Sequence, residues 1–200
     1  MKKPIMHFLA ALLIFSMMLV SSGAESLTAE ENTARFYKST GYRIPITGTT
    51  AADLTPLSDF IAAMRKNIYS VDPRSIDILN TDMGDKVRME YMTFFIVSFM
   101  ARPTFWTFSL KLPYSYKNME KVFKLAISTL TGATAEETDT LYESLLHNVK
   151  DEWSTLQLDS HDCFITYYEP RGTNGTLAQY ADLYIDSPLA AALAYYYPEE

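Results

Sequence analysis

The sequence contains one cysteine, Cys163, among its 200 residues. A single cysteine cannot form a disulfide within the chain, so the fold has to be stable without one. That is feasible, because a domain of this size buries about 70% of the surface that its unfolded chain exposes. Since no cysteine lies near residue 20, a lipid anchor on a cysteine at the end of an N-terminal segment is disfavoured as well.

Basic residues are in the minority, with 17 lysines and arginines against 24 aspartates and glutamates and a net charge of −7. No run of lysine or arginine forms a local positive patch in the sequence. An acidic surface repels phosphate backbones and anionic lipid headgroups. We therefore predict no nucleic-acid partner and no electrostatic docking to a membrane.

Several sequence motifs of catalysis and cofactor binding are missing. The chain has no glycine-rich phosphate loop, no GxGxxG fingerprint and no GxSxG nucleophile elbow. Residues 80–85 (NTDMGD) are faintly similar to a calcium loop but lack its regular oxygen ligands and its terminal glutamate. A hairpin turn is the better interpretation of that segment, and we predict no cofactor.

The N-terminus has the three parts of a secretory signal. Two lysines follow the first methionine, residues 4–20 carry no charge, and the small residues Ser22 and Ala24 suit signal peptidase. We predict that segment 1–24 is cleaved, which leaves residues 25–200 as one α+β domain with a net charge of −9. The alternative is an uncleaved membrane anchor, although a spanning helix needs about 20 apolar residues. The Met-Lys-Lys start is typical of bacteria and predicts a periplasmic or extracellular location.

Four segments carry the capping signals and apolar spacing of amphipathic helices. Thr28 with Glu31, and the corresponding pair at the start of the fourth helix, form capping boxes. Thr55 is the predicted N-cap of the second helix. The predicted helices cover residues 28–39, 55–71, 117–130 and 134–150, with Gly41 and Gly132 as C-caps and a short fifth helix in the tail 188–197.

The remaining segments are rich in β-branched and aromatic residues, which favours strands. The predicted strands are residues 75–79, 86–100, 104–112, 155–158, 163–169 and 177–185. Residues 86–100 are predicted as one central strand, with a buried helix as the rival interpretation. Asn174-Gly175 predicts a tight turn, although Asn174-Gly175-Thr176 also matches a glycosylation sequon. The predicted fold is α+β, a mainly antiparallel sheet built from hairpins with about four amphipathic helices packed on it.

Residues 159–163 (DSHDC) are the only compact cluster of reactive side chains in the sequence. A hydrolase would use Cys163 as the nucleophile and His161 or His147 as its base. Residues 161 and 163 of one strand lie about 6–7 Å apart, too far for a direct hydrogen bond, so His147 would have to come from elsewhere in the fold. The alternative is that Cys163 is a small buried hydrophobic residue.

The same cluster contains three side chains that ligate metals, namely Asp159, His161 and Asp162. Together they offer oxygen and nitrogen ligands to a divalent ion. However, the sequence shows no second group of ligands beside them, and acidic turns are common in solvated loops. We predict no metal site.

The C-terminal part is rich in tyrosine and includes Tyr167, Tyr180 and Tyr184. Tyrosine combines a large apolar ring with a hydrogen-bonding hydroxyl, which suits contacts with proteins or carbohydrates. These three residues are therefore the candidate binding residues. The alternative is that they form a half-buried face of the sheet.

These features predict an exported, soluble, non-enzymatic binding or accessory protein of the bacterial envelope or extracellular space. Its expected partner is another envelope protein, a secreted protein or a small ligand, and it meets the membrane only during export. Two alternatives stay open. One is a small exported hydrolase that uses Cys163 with His147 or His161, and the other is a self-associating structural protein of the envelope.

Overall fold

The computed structural model describes residues 28–44, 53–68, 72–81, 84–102, 104–171 and 179–198. The predicted signal segment and the predicted turn with its sequon at Asn174 lie outside these residues. The helices are α1 (Ala29–Thr40), α2 (Thr55–Asn67), α3 (Met119–Thr131), α4 (Ala135–His147) and α5 (Leu189–Tyr196). The strands are β1 (Ser75–Thr81), β2 (Gly84–Met92), β3 (Phe95–Ala101), β4 (Trp106–Pro113), β5 (Trp153–Leu158), β6 (Cys163–Tyr168) and β7 (Tyr180–Ser187).

The seven strands form one antiparallel sheet in the order β1-β2-β3-β4-β7-β6-β5. Strands β1 to β4 form one meander and β5 to β7 form another, and the two meanders meet where β4 pairs with β7. The predicted α+β class with a mainly antiparallel sheet is confirmed. Five helices accompany the sheet in the described residues, and the fifth is the short helix predicted in the tail.

Local capping chemistry sets the ends of the helices. At the start of α1, the Thr28 hydroxyl accepts a hydrogen bond from the Glu31 N–H at 3.2 Å, and the Glu31 carboxylate accepts one from the Thr28 N–H at 2.8 Å. The same pair of bonds occurs at the start of α4, so both predicted capping boxes are confirmed. Gly41 and Gly132 end α1 and α3 with φ of 77° and 73°, in the left-handed region that glycine tolerates best.

The start of α2 differs by one residue from the prediction. Leu54 is its N-cap and Thr55 is already helical, so the predicted capping role of Thr55 is wrong. The carboxylate of Asp53 accepts a hydrogen bond from the Thr55 N–H at 2.9 Å. An aspartate two residues upstream therefore supplies the acceptor that the threonine hydroxyl was expected to supply.

The prediction of a single strand over residues 86–100 is wrong, because the chain turns back after Met92 to form β2 and β3. The turn contains no glycine or proline from which it could have been predicted. Phe94 occupies it with φ of 64°, and its ring stacks on Tyr180 at 5.1 Å between centroids. Aromatic packing thus accompanies a backbone conformation that phenylalanine seldom adopts.

Helices α1 to α4 lie side by side on one face of the sheet, each packed on the next. Phe60 of α2 meets Phe108 of β4 edge to face at 4.9 Å, and Phe123 of α3 meets Tyr167 of β6 at 6.0 Å. All four rings are almost completely buried, so the main core lies between this helical layer and the sheet. Within the described ranges, no helix is long and apolar enough to cross a membrane.

Helix α5 lies on the opposite face, over the ends of β6 and β7. Its Tyr196 ring stacks near Phe164 at 6.3 Å, and its Tyr195 ring contacts Phe105 at 5.3 Å. The carboxylate of Asp162 accepts a hydrogen bond from the Leu189 N–H at 2.9 Å, which holds the start of the helix. The tail is therefore part of the folded body.

Candidate functional site: the open face of the sheet

The face of the sheet opposite α1 to α4 is called the open face below. Side chains alternate between the two faces along each strand, and the strand registers align them in rows across the sheet. One such row runs from Thr166 of β6 through Tyr184 of β7 to Ser109 of β4. The central part of the open face consists of Ser98, Thr107, Ser109, Lys111, Trp153, Thr155, Phe164, Thr166, Tyr168, Tyr180, Asp182, Tyr184 and Asp186.

The sequence of β7 (YADLYIDS) explains why acids and tyrosines gather on this face. Ala181, Leu183 and Ile185 are fully buried against the helical layer. The intervening positions, Asp182 among them, face the other way by the period-two rule. Sequence reasoning recognised β7 as a strand and overlooked this alternation of tyrosine and aspartate, which was the available signal.

Asp182 is a carboxylate with only 4% of its surface exposed. Its nearest cation is Lys111 on the neighbouring strand, with 3.6 Å between Nζ and Oδ2. Burial raises the pKa of Asp182 to about 6, and the positive charges of Lys111 and Lys86 oppose that rise. The Lys111 ammonium also lies 3.9 Å from the centroid of the Tyr180 ring.

Asp186 is the second buried acid and is 2% exposed. The Thr107 hydroxyl donates to its Oδ1 at 2.6 Å, and the Tyr196 hydroxyl lies 3.4 Å from the same oxygen. Among the described residues, Oδ2 receives no hydrogen bond. Burial raises the pKa of Asp186, and its hydrogen bonds and the positive charge of Arg102 oppose that rise.

A cavity of about 620 Å³ opens between α5 and the open face. Its volume lies within the range of about 300–1,000 Å³ that is usual for small-molecule sites. Aromatic rings dominate its walls, and the one charged group among its lining residues is the Asp186 carboxylate. The lining residues are Trp153, Thr155, Phe164, Thr166, Tyr184, Asp186, Tyr196 and Tyr197.

A second cavity, of about 680 Å³, lies at one end of the sheet beside the β2–β3 turn. It is lined by Arg74, Met92, Thr93, Phe94, Pro113, Tyr114, Ser115 and Gln179. Its only charged lining residue is Arg74. The Tyr114 hydroxyl donates a hydrogen bond to the Glu169 carboxylate at 2.8 Å. This cavity therefore has two aromatic side chains in its wall against five under α5, and no carboxylate of the described residues lines it.

The three candidate tyrosines fall into two groups. Tyr180 and Tyr184 lie on the open face, four residues apart in β7 and on either side of Asp182. Tyr167 points to the other side, is 2% exposed and packs in the main core. The candidate surface therefore includes Tyr180 and Tyr184 and leaves Tyr167 out.

The structure does not bring Cys163 together with either histidine. Cys163 is 1% exposed, and burial raises the pKa of its thiol to about 12, with the negative charges of Asp162 and Asp186 adding to the effect. His161 has its Nδ1 at 3.1 Å from the Thr131 carbonyl oxygen, and the exposed His147 has its Nδ1 at 2.8 Å from the carbonyl oxygen of its own helix. In the described part of the chain, no hydrogen bond joins the thiol to an imidazole.

Thiol labelling checks the state of Cys163. At about pH 8 we expect the folded protein to react with a disulfide reagent at least about 100-fold more slowly than the protein unfolded in denaturant, because only the exposed thiolate is reactive. The unfolded sample serves as the control for reagent and stoichiometry. Rapid labelling of the folded protein, with loss of a hydrolytic activity, would favour the hydrolase alternative.

The acidic cluster at residues 159–163 is engaged in local structure. Asp159 accepts a hydrogen bond from Gln157 at 3.1 Å, and Asp162 caps the start of α5. His161 Nε2 lies 3.9 Å from Glu137 of α4. In the ranges that the structure describes, no three histidine, cysteine, aspartate or glutamate side chains converge as a metal site would require.

Comparison with known proteins identifies no relative of this chain. A scan against family models matches no family, and searches of curated proteins and of solved structures find no match. The site is therefore defined by its own geometry: an open sheet face with two buried carboxylates and an aromatic cavity beneath a C-terminal helix.

Proposed function

We propose that this chain is an exported binding protein that holds a small ligand in the cavity between α5 and the open face. The observation that carries the proposal is the cavity itself, in which five aromatic side chains and one buried carboxylate converge. A small number of polar groups set in apolar walls is the usual composition of a ligand site. Export rests on the signal-like segment at residues 1–24.

The distribution of burial supports binding rather than packing as the role of this face. The open face carries hydroxyls and charges along its central strands, whereas the opposite face of β4 and β7 is mainly apolar and buried, with the half-buried Trp106 and Ser187 at its end. Asp182 and Asp186 are costly to bury without full compensation. Residues that reduce stability in this way concentrate at functional sites.

The two alternatives from the sequence receive less support. A hydrolase would need Cys163 near a base, and neither His161 nor His147 forms a hydrogen bond with it. A structural subunit would assemble with itself, and light scattering that finds a stable oligomer of the mature protein would favour that alternative over a small-ligand carrier.

Thermal unfolding with a panel of small probes tests the proposal. The panel contains glucose, N-acetylglucosamine, choline, spermidine, phenylalanine, succinate and adenosine. A probe present at about 100 times its Kd stabilises the folded state by about 2.7 kcal/mol. For a domain of this size we therefore expect at least one probe to raise the Tm by about 5–10 °C.

Two tryptophan variants locate the binding site. Thr166→Trp places an indole among the lining residues and should abolish the Tm shift. Ser75→Trp places the same ring on the edge strand β1 of the same face and should leave the shift unchanged. The proposal is overturned if no probe shifts the Tm, or if the shift survives in Thr166→Trp.

A further inference from the structure

We infer that the cavity under α5 takes a small organic cation, namely an amine or a quaternary ammonium ion. This inference rests on the proposed function and specifies the chemical class of its ligand. It depends on two features of the cavity that act on the same charge. One is a carboxylate with an oxygen that accepts no hydrogen bond from the described residues, and the other is a wall of aromatic rings.

The carboxylate is Asp186, and its two oxygens differ in their surroundings. Oδ1 receives the Thr107 hydroxyl at 2.6 Å and has the Tyr196 hydroxyl at 3.4 Å. Oδ2 has no hydrogen-bond donor among the described residues, although the side chain is 2% exposed. An oxygen that no donor of the described residues occupies can accept from a bound ammonium or face a bound cation, which would neutralise this largely buried carboxylate.

The aromatic wall suits the same kind of ligand. Rings carry negative potential on their faces, so a cation within about 6 Å of a ring centroid is attracted to it. Phe164 and Tyr196 lie nearly parallel in this wall, with 6.3 Å between centroids, and Trp153 stacks on Tyr168 at 4.0 Å. Trp153 remains 46% exposed, so one side of its indole is accessible to a ligand.

In the neighbouring part of the open face, a cation of the chain itself is already held between an aromatic ring and a carboxylate. Lys111 places its ammonium 3.9 Å from the Tyr180 centroid and 3.6 Å from the Asp182 carboxylate. One cation there contacts a tyrosine ring and a buried aspartate together. The cavity offers Tyr184 and Asp186 in the same relation along β7, two residues apart as Tyr180 and Asp182 are.

Charge also disfavours an anionic ligand. The lining of the cavity contains one acid and no base, and the whole chain carries a net charge of −7. Arg102 acts on Asp186 from outside the lining, and its guanidinium lies 4.4 Å from the Tyr195 centroid. An anion would be repelled by the Asp186 carboxylate. A cation is attracted by that carboxylate and by the net negative charge of the whole protein.

Choline and neohexyl alcohol form a matched pair of probes, because the alcohol is the uncharged carbon isostere of choline. Isothermal titration at low salt measures the affinity of the folded protein for each. We expect the Kd of choline to be at least about tenfold lower than that of the alcohol, since only choline has charge complementarity with the site. Far-UV circular dichroism confirms that each variant is folded.

Two variants separate the contributions of charge and ring. Asp186→Asn should weaken choline binding at least about tenfold and leave the alcohol unaffected, whereas Asp77→Asn, at an exposed aspartate of the same face, should change neither. Trp153→Ala should weaken choline binding about threefold or more. Tyr37→Ala removes an equally exposed ring on the helical side and should have no effect. If Asp186→Asn does not fold, the Trp153 and Tyr37 variants decide the matter.

Each outcome separates this inference from the proposed function. Equal affinity for choline and neohexyl alcohol, or binding of another panel probe with no cation bound, would overturn the cation inference and leave a small-ligand protein. Failure of every probe would overturn both. Preferential binding of choline that depends on Trp153 and Asp186 supports both.

Discussion

Replacing Leu110 with alanine should lower the free energy of unfolding by about 2–5 kcal/mol. Leu110 lies in the middle of β4, is fully buried, and is paired with Val97 of β3 and Leu183 of β7. It therefore packs in the main core at the junction of the two meanders. Removal of its side chain loses apolar burial and leaves a cavity that close-packed neighbours fill only in part.

Leu79→Ala is the matched control for this prediction. The same substitution is made on the edge strand β1, where Leu79 is 40% exposed. We expect its effect on the free energy of unfolding to be below about 1 kcal/mol. Urea denaturation measures both values. Similar losses from the two variants would mean that β4 does not lie at the centre of the core.

Replacing Asp182 with asparagine should make the protein more stable near neutral pH. The ordinary pKa of an aspartate is 3.8, and burial raises the pKa of Asp182 to about 6 in the folded state. Between these two values the folded chain keeps a proton that the unfolded chain has lost. The contribution of this proton to the free energy of unfolding is therefore fully present below about pH 4. It is lost as the pH rises through about 6.

The magnitude follows from the size of the shift. A rise of roughly two pKa units corresponds to at most about 3 kcal/mol between the two ends of this pH window. Asparagine keeps an oxygen toward Lys111 and carries no charge, so the variant avoids the cost of burying a carboxylate. We expect the stability of Asp182→Asn relative to the natural chain to rise by about 1–3 kcal/mol between about pH 4 and pH 8.

Denaturant unfolding at a series of pH values measures that difference directly. Asp77→Asn is the control, because Asp77 is an exposed aspartate on the same face of the sheet. Its difference from the natural chain should stay flat across the window. If Asp182→Asn instead lost stability as the pH rose, the ion pair with Lys111 would outweigh the cost of burying Asp182.

Sequence reasoning was most accurate where a structural feature depends on residues close in the chain. Thr28 reaches Glu31 within one helical turn, and Gly41 ends the same helix through its own backbone freedom. Both were predicted and confirmed. The turn at Phe94 was missed because its signal is not local: the ring that stacks on Phe94 belongs to Tyr180, 86 positions along the chain.

The candidate site depended on such distant contacts throughout. Tyr167 and Tyr184 are equally plausible binding residues in the sequence, and only the strand register places one in the core and the other on the open face. Thr107 meets Asp186 because β4 pairs with β7, which is the junction of two meanders separated by α3 and α4. No local pattern predicts that pairing.

The sequence by itself determined the α+β class, the capped helices, most of the strands and the absence of the common phosphate-binding motifs. These depend on periodicity, turn chemistry and capping, which act over a few residues. The tertiary structure decided which faces of the strands are covered, where α5 lies, and that two aspartates are buried beside aromatic rings. Burial and cavity shape arise only when distant segments pack together, so the open face and its cavity became visible only in the folded chain.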